Sequence, residues 1–515
     1  MHPKEECRML ADYAADLFAA KRHNDVPHLV LEPLDPAVFD AEIWERSFLR
    51  LRSGKAVPHD APSVQQWKNV APLTSGVLRE IAVKFLCGPN PSIPEEWTEV
   101  QLAWLAKAGK TPSHPRNFRS IGLMPADTKA FLLVLREAAS PHIDSCSGNS
   151  LSMRIEKHRK DHTAKLLGDA DVPMVGGMMC GLDLHKAFDA LPHSEILLSL
   201  TEAGVPSPLA GVIAQAHMQT RCVVRHGGVE REVCMSRGLR QGCPIAPIVY
   251  AAWSCRLCRL VDQRLDRDWM SNHGTLFADD IFSCWEIRAV QALKRAVRDL
   301  HALIETLQSL GMEVNCQKSV VVLKLCGKAV AQACKHLLVW REGVQLLRDR
   351  GEHNQNDIYI PCQSSMPYLG AALSYDNFEL QTFKTRAAQA KSRFQELRRI
   401  LRTDGAITCR HRLRLYKAII WPTLWYSLAS VGVTIDVLKG VCSLLAVQLR
   451  KVLRIHEEGI SNKTVLEQAG LDPHAFFRWQ AVSKGESILS DRRRAENIKV
   501  QESKHCYRVH QCLLQ

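Results

Sequence analysis

No run of eighteen apolar residues occurs anywhere in the 515-residue chain, which excludes a membrane-spanning helix of ordinary length. The opening MHPKEECRML carries acids early and has no long apolar core, so it does not read as a signal peptide. No internal repeat and no low-complexity tract is present. The 18 cysteines lack small-domain spacing, and most sit in apolar runs, as Cys180, Cys222 and Cys326 do. They read as buried thiols of a reducing compartment, not as a disulfide framework. Aromatics are only 6% of the residues, but 46% are hydrophobic, which is enough for several packed units. A single core stops growing well below this length, so roughly two to four subdomains are expected. The net charge of +13 favours a polyanionic partner such as nucleic acid.

Residues 1–45 are mixed and partly helical, with a break at LEPLDP, and a helix–loop–helix pattern follows from about 46 to Pro89. Residues 97–106 (WTEVQLAWLA) form a buried strand or strand pair. The apolar run 174–182 (MVGGMMCGL) is a buried strand that ends on Asp183. A helix opens near Pro192 and closes at Gly204. RCVVRHGGVEREVC predicts a hairpin around Gly227-Gly228, and residues 245–265 are helical. HGTLFADDIFSCW predicts two short strands with Asp279 and Asp280 at the tip between them. Residues 288–310 form the clearest helix, with Val290, Leu293, Val297, Leu300, Ile304 and Leu307 on one face and Gly311 as its stop. Between Lys384 and Lys417 there are eleven Lys or Arg against Glu396 and Asp404, so this segment carries +9 of the total charge. The order of elements predicts an α+β fold, an antiparallel sheet with helices on one face.

Nucleotidyl transfer uses two divalent ions about 3.5–4 Å apart, one at the attacking hydroxyl and one at the leaving pyrophosphate. Magnesium is a hard ion that takes a few carboxylates together with substrate phosphates. Asp183 ends one strand, and Asp279 and Asp280 sit in a turn 96 residues later. Paired strands lie about 4.8 Å apart, so these acids can share two ions if the strands pair. A lone Asp at a strand end is more often a cap or turn residue, and the wider context has to decide.

GLDLHKAFDALPHSEIL, SRGLRQGCPIAPIVYA, TLFADDIF, LGMEVNCQKS and PYLGAAL follow one another in that order. They resemble the successive palm motifs of reverse transcriptases of the non-long-terminal-repeat (LINE-type) retrotransposons. SGKAVPHDAP and WLAKAGKTPSHPRNFRSIGL resemble the finger motifs of that family, and LRLYKAIIWPTLWYSLAS and LAVQLRKVLRI its thumb. The resemblance covers about residues 45–480.

It implies a right-hand polymerase. Residues 1–45 would be an N-terminal extension, 46–172 fingers, 173–375 a palm with some finger elements, 376–457 a helical basic thumb and 458–515 a tail. It implies an RNA-directed DNA polymerase that adds deoxynucleotides to a primer 3′-hydroxyl with two Mg²⁺ ions, Mn²⁺ substituting. An RNA template, a DNA primer or target and the dNTPs would be its partners, inside the cell, in nucleus or cytoplasm.

By the same resemblance Asp183 and Asp279 are the two main metal ligands, with Asp280 beside them. Phe188 lies under the sugar and rejects a 2′-hydroxyl, its plain alternative being a core Phe. Gln241 and Gly242 let the backbone approach nucleotide and template. Lys318 stands near the pyrophosphate as a general acid, or is a surface lysine. Lys107 and Arg119 hold the triphosphate. Tyr368, Leu369 and Gly370 form the primer-grip hairpin. The basic segment suits the phosphates of a template–primer duplex.

Three stretches depart from the family pattern: RSIGL where RPISL is common, GKAVPHDAP in place of GKAPGxDG, and PHIDSCSGNSLSMRIEKHRK at 141–160. These concern the fingers and not the carboxylates. About 45 residues precede the fingers and about 55 follow the thumb, too few for an endonuclease or a ribonuclease H domain. A polymerase portion of a larger element, or a truncated copy, is expected. Cys255 and Cys258 in a helix read as thiols, not zinc ligands, and His505, Cys506, His510 and Cys512 match no defensible zinc spacing. A decayed remnant that only binds RNA, a group II intron-type maturase and an RNA-directed RNA polymerase are the rival readings. The bulk of Phe188 disfavours the last.

Overall fold

The computed structural model describes residues 2–21, 29–107, 109–146, 174–349, 357–402 and 407–479. Helices α1 (Pro3–Phe18), α2 (Ala41–Arg50) and α3 (Val64–Leu86) come first. The Asp40 carboxylate caps α2, and Ser63 and Gln66 close a reciprocal capping box on α3. Strands β1 (Glu99–Ala106) and β2 (Phe118–Leu123) precede α4 (Ala126–Cys146). Next come β3 (Val175–Asp183), the single turn α5 (Ala187–Ala190), α6 (His193–Glu202) and α7 (Ser207–Met218). The hairpin β4 (Arg221–His226) and β5 (Val229–Cys234) turns on Gly227 and Gly228, both left-handed. Helix α8 (Ala246–Arg264) leads to β6 (Gly274–Phe277), β7 (Asp280–Ile287), α9 (Val290–Ser309) and β8 (Val320–Cys326).

Two four-stranded sheets result. One is ordered β2-β1-β4-β5 and is mixed, since β1 and β4 run parallel. The other is ordered β6-β7-β3-β8 and is antiparallel throughout. It is the expected antiparallel sheet backed by helices, and the fold is α+β. Side chains alternate across the second sheet. Met178, Cys180, Leu182, Ile281, Trp285 and Val321 point into the main helical core with α9. Met179, Phe282, Cys284, Val320 and Val322 point to the opposite face. That face is covered by a small hairpin, described below.

A three-stranded sheet that the sequence reading did not foresee follows β8: β9 (Leu338–Arg341), β10 (Val344–Asp349) and β11 (Ile358–Pro361). The hairpin β12 (Met366–Tyr368) and β13 (Ala371–Leu373) then leads into α10 (Phe378–Glu396) and, further on, α11 (Ile435–Leu453). These helices share a second apolar core with Tyr416, Leu424 and Trp425. The same core takes in Val465, Leu466, Ala469 and Phe477, so helical packing continues past residue 457.

Two expectations need correction. Arg386 and Arg412, counted among the basic segment's cations, are buried at 6% and 4% exposure. Arg412 is consumed by the carbonyls of Val452 and Ile407, each 3.1 Å away. Of the 15 cysteines described, only Cys7, Cys180, Cys222, Cys243 and Cys284 are buried. Cys326, Cys255 and Cys258 are half-buried, and none of the 15 is in a disulfide. Cys326 is the last residue of β8, where the sheet's cover thins out. Residues 141–146 of the divergent finger stretch close α4, while its remainder and the four C-terminal His and Cys positions lie outside the described residues.

Candidate active site

Strands β3 and β7 pair so that Asp183 and Asp280 are direct cross-strand partners. Asp279 occupies the two-residue turn before β7, beside Ala278, whose φ is +51°. The register therefore sets Asp280 opposite Asp183, with Asp279 at the tip. Both strand acids fall on the face that carries Met179 and Phe282. The backbone of Asp183 is fixed on both sides. Its N–H donates to the Ser319 hydroxyl at 3.1 Å, and its carbonyl accepts from the Asn315 N–H at 2.8 Å. The same loop brings the Lys318 ammonium to 3.8 Å from the Asp183 carboxylate. Burial, then the charges of Asp279 and Asp183, push the Asp280 carboxyl above the usual carboxylate range. Two carboxylates that raise the cost of ionising Asp280 make with it a site that a cation relieves. Among the described residues no three His, Cys, Asp or Glu side chains close into a ready-made cage. An open carboxylate cluster is nevertheless the donor set suited to Mg²⁺, which completes its shell with phosphate oxygens and water.

Phe188, on α5, stacks on Tyr250 of α8 with ring centroids 4.4 Å apart. The Tyr250 phenol is pushed up by burial and then by Asp279, so this aromatic pair borders the acids. The Gln241 side-chain amide donates to Asp189 at 2.8 Å, and the Gln241 backbone carbonyl accepts from the Gly122 N–H at 2.7 Å. Gly242 has φ +96°, and a Cβ there would meet the Gly122 carbonyl at 2.8 Å. Glycine is needed here for both conformation and space. Asp189 is pushed up to about 6 by burial, against the pull of Gln241, Lys186, Arg237 and Lys107.

The cations lie beside the acids. Lys107 follows β1 and donates to the Arg116 carbonyl at 2.8 Å. Its pKa is lowered by burial, then by Lys186, Lys318 and Arg119. Four positive side chains from four segments thus converge. Arg119 sits on β2 opposite Leu105.

Tyr368, Leu369 and Gly370 form the β12–β13 turn, with φ +45° at Leu369 and +81° at Gly370. This hairpin covers the face of the sheet that bears the acids. The Tyr368 ring lies 5.4 Å from that of Phe282, and its phenol is pushed up by burial and then by Asp280. On its far side the hairpin meets the helical unit. Ser427 donates to the Leu369 carbonyl at 2.7 Å, and the Arg386 guanidinium lies 4.5 Å over the Tyr426 ring.

Asp183, Asp279, Asp280, Lys318 and the Tyr368–Gly370 turn thus gather at one sheet face, with Phe188 beside them, while Lys107, Arg119, Gln241 and Gly242 lie on or against the mixed sheet and reach this neighbourhood through Asp189 and Lys186. Sequence reasoning missed Asp189, Tyr250, Asn315, Ser319, Lys186 and the Arg386–Tyr426 pair. Most fall within the quoted motifs, but their roles depend on partners far away in sequence. A cavity of about 1360 Å³ opens beside Gly122, Gly242 and Pro244 and is lined by Arg50, Arg52, Lys55, Lys129 and Arg136, with Glu137, which pairs with Arg50, and Asp144 among them. No helix among the described residues is long and apolar enough to cross a membrane.

A family model described as reverse transcriptase (RNA-dependent DNA polymerase) matches residues 106–373, just over half the chain. A retrovirus-related Pol polyprotein from the type-1 retrotransposable element R2 of Popillia japonica is 22% identical over 431 residues, covering 76% of this chain and 54% of the relative. The corresponding polyprotein of the type-2 element R2DM of Drosophila melanogaster is 24% identical over 287 residues, covering 54% of this chain and 24% of the relative. The chain thus spans about half the length of one curated relative and a quarter of the other. Among solved structures, apo telomerase from Candida tropicalis is similar at 10% identity and a TM-score of 0.39, over 97% of this chain and 93% of that one. That superposition is too loose to add to the fold described above.

Proposed function

Since the chain belongs to the reverse transcriptase (RNA-dependent DNA polymerase) family, we propose that it adds deoxynucleotides to a primer 3′-hydroxyl under the direction of an RNA template. The observation that carries this reading is the opposition of Asp183 and Asp280, with Asp279 at the turn, beneath the Tyr368–Gly370 hairpin. In this reading the three carboxylates hold two divalent ions, Mg²⁺ or Mn²⁺. Bound there, such ions supply Lewis acidity to the attacking hydroxyl and to the leaving pyrophosphate.

The remaining roles belong to the chain's own groups. Lys318 holds a proton next to Asp183, where a departing pyrophosphate oxygen can take it. Lys107 and Arg119 bind the triphosphate. Phe188, backed by Tyr250, closes the space at the sugar 2′ position. Gln241 and Gly242 present backbone to the nascent pair. The β12–β13 hairpin holds the primer end over the acids. The cation-rimmed cavity beside Gly242 suits the single-stranded template before it is copied. The mixed sheet and α2–α4 act as fingers, the antiparallel sheet as palm, and the C-terminal helices as thumb. An enzyme of this kind works inside the cell, in nucleus or cytoplasm.

Primer extension on poly(rA)/oligo(dT) with Mg²⁺ or Mn²⁺, wild type against Asp279→Ala, tests the proposal. Metal-dependent DNA synthesis that the substitution abolishes is expected. Synthesis that survives it overturns the site. Template–primer binding without any synthesis by the wild type favours a remnant that only binds RNA.

A further inference from the structure

Helix α1 has no part in the roles assigned above, yet it is fastened to three segments that line the site. The N–H of Ser236 donates to the Phe18 carbonyl at 2.9 Å, and Arg237 Nε to the Leu17 carbonyl at 3.2 Å, just before Gln241. Lys21, beyond the helix, pairs at 2.9 Å with Glu313, just before Asn315. In mid-helix the Tyr13 ring lies 6.0 Å from that of Trp104 on β1. On that same ring sits the Lys186 ammonium, 4.9 Å from its centroid.

Lys186 lies between Asp183 and Phe188, with a left-handed backbone at φ 54° and ψ 47°. A non-glycine residue rarely adopts this conformation, and such strain gathers at functional sites. Its charged neighbours are Lys107 and His185, whose pKa values it lowers, and the buried Asp189, which Gln241 already engages. Lys318 and Arg119 act on Lys107 alongside it. Glu313, which also faces His185, is held by Lys21. No carboxylate among the described residues forms an ion pair with Lys186. An aromatic face orients an ammonium without neutralising it, where a carboxylate would quench its charge. A cation with no ion-pair partner, set among Lys107, Arg119 and Lys318 next to an acidic centre, suits a polyanion.

We propose that Lys186 is a further cation for the triphosphate of the incoming nucleotide, and that Tyr13 of α1 is its positioning residue. This rests on the polymerase reading for the identity of the ligand. It gives the N-terminal helix a role in nucleotide binding, transmitted through one aromatic ring.

The test uses the full chain and two measurements. One is equilibrium binding of inorganic tripolyphosphate, which needs no catalysis. The other is the dTTP KM and kcat in primer extension. Lys186→Gln is expected to weaken tripolyphosphate binding and raise KM by roughly tenfold, with kcat little changed. Tyr13→Leu should weaken both by about threefold, while Tyr13→Phe, which keeps the ring, stays near wild type. In a Lys186→Gln background Tyr13→Leu should add nothing, because it acts only through that lysine. Thermal melts identify any variant that fails to fold, and Lys186→Gln and Tyr13→Phe decide the matter if Tyr13→Leu is one. Unchanged tripolyphosphate binding in Lys186→Gln, or equal losses in Tyr13→Phe and Tyr13→Leu, overturns the proposal. If the wild type extends no primer but Lys186→Gln still loses tripolyphosphate, the cation assignment stands and the polymerase reading falls.

Discussion

Asp183 and Asp280 face each other across β3 and β7, on the one side of the sheet that Tyr368 and its hairpin cover. Burial and two neighbouring carboxylates raise the Asp280 pKa, so its ionised form is disfavoured in the folded chain. A carboxyl raised by folding gives stability that is complete below its unfolded pKa and is lost as pH rises through the folded value. Above the folded value that stability is gone. Asp280→Asn should therefore raise the melting temperature of the metal-free protein while lowering extension by on the order of 10³-fold. Mg²⁺ should raise the melting temperature of the wild type and leave that of Asp183→Asn nearly unmoved. A fall in metal-free stability on removing the Asp280 charge would contradict the repulsion inferred here.

Asp189 provides a second pH signature, separate from the three acids proposed to hold metal. Burial lifts it to about 6, with Gln241 donating to it at 2.8 Å. The unfolded chain loses this proton near the ordinary carboxylate value, whereas the folded chain keeps it until about 6. Stability should therefore drop between pH 4 and 6 by roughly 2–3 kcal/mol. In Asp189→Asn that drop should be absent, with the two melting curves coinciding near pH 4 and separating above 6. Parallel curves across the range would show that Asp189 ionises freely in the fold.

The elements that position the acids were legible because their signals are local. β3 is an apolar run closed by an acid, β7 follows a two-residue turn, and α9 repeats its apolar positions every three or four residues. What stayed hidden depends on contacts remote in sequence. β1 pairs in parallel with β4, about 120 residues away, and nothing local announces it. The burial of Arg386 under Tyr426, and the seat of Lys186 on Tyr13, involve side chains whose local patterns suggest solvent. Charge counting cannot separate a cation that faces a partner from one that packs the joint.

Phe188 rests on Tyr250 at 4.4 Å, so its ring has a fixed backing and not merely a place in the core. Phe188→Ala should ease ribonucleotide incorporation by roughly tenfold or more, while deoxynucleotide use changes less. Competition between rNTP and dNTP in primer extension measures this, and unchanged sugar selectivity removes Phe188 from the role.

Gly370 sits where the hairpin meets the helical unit, at φ +81° and directly beneath Arg386 and Tyr426. A Cβ there would collide with both side chains, and the backbone conformation is itself unfavourable for alanine. Gly370→Ala should cost roughly 2 kcal/mol or more and, if this turn holds the primer as proposed, shorten the products of extension, because the turn must shift. Product length at a fixed polymerase-to-primer ratio and the melting temperature are the two readouts. Normal values for both would mean that the joint gives way at no cost.

The basic helices separate surface charge from buried charge, and the two should fail differently. Lys384 and Lys391 are exposed and seven residues apart on α10, hence on one stripe. If they meet duplex phosphates, Lys384→Gln together with Lys391→Gln should lower the slope of log K against log salt by about one per contact, with little change in stability. Arg386, two residues from Lys384, is 6% exposed and donates to Gln389 at 2.6 Å under the Tyr426 ring. Arg386→Gln should therefore leave the salt slope alone and lower stability by roughly 1–3 kcal/mol, since it removes packing at the joint instead of a phosphate contact. Titrating template–primer binding at several salt concentrations, with melts of the same samples, distinguishes the two. A salt slope that falls equally for both sets would mean that Arg386 leaves its buried seat to reach the duplex.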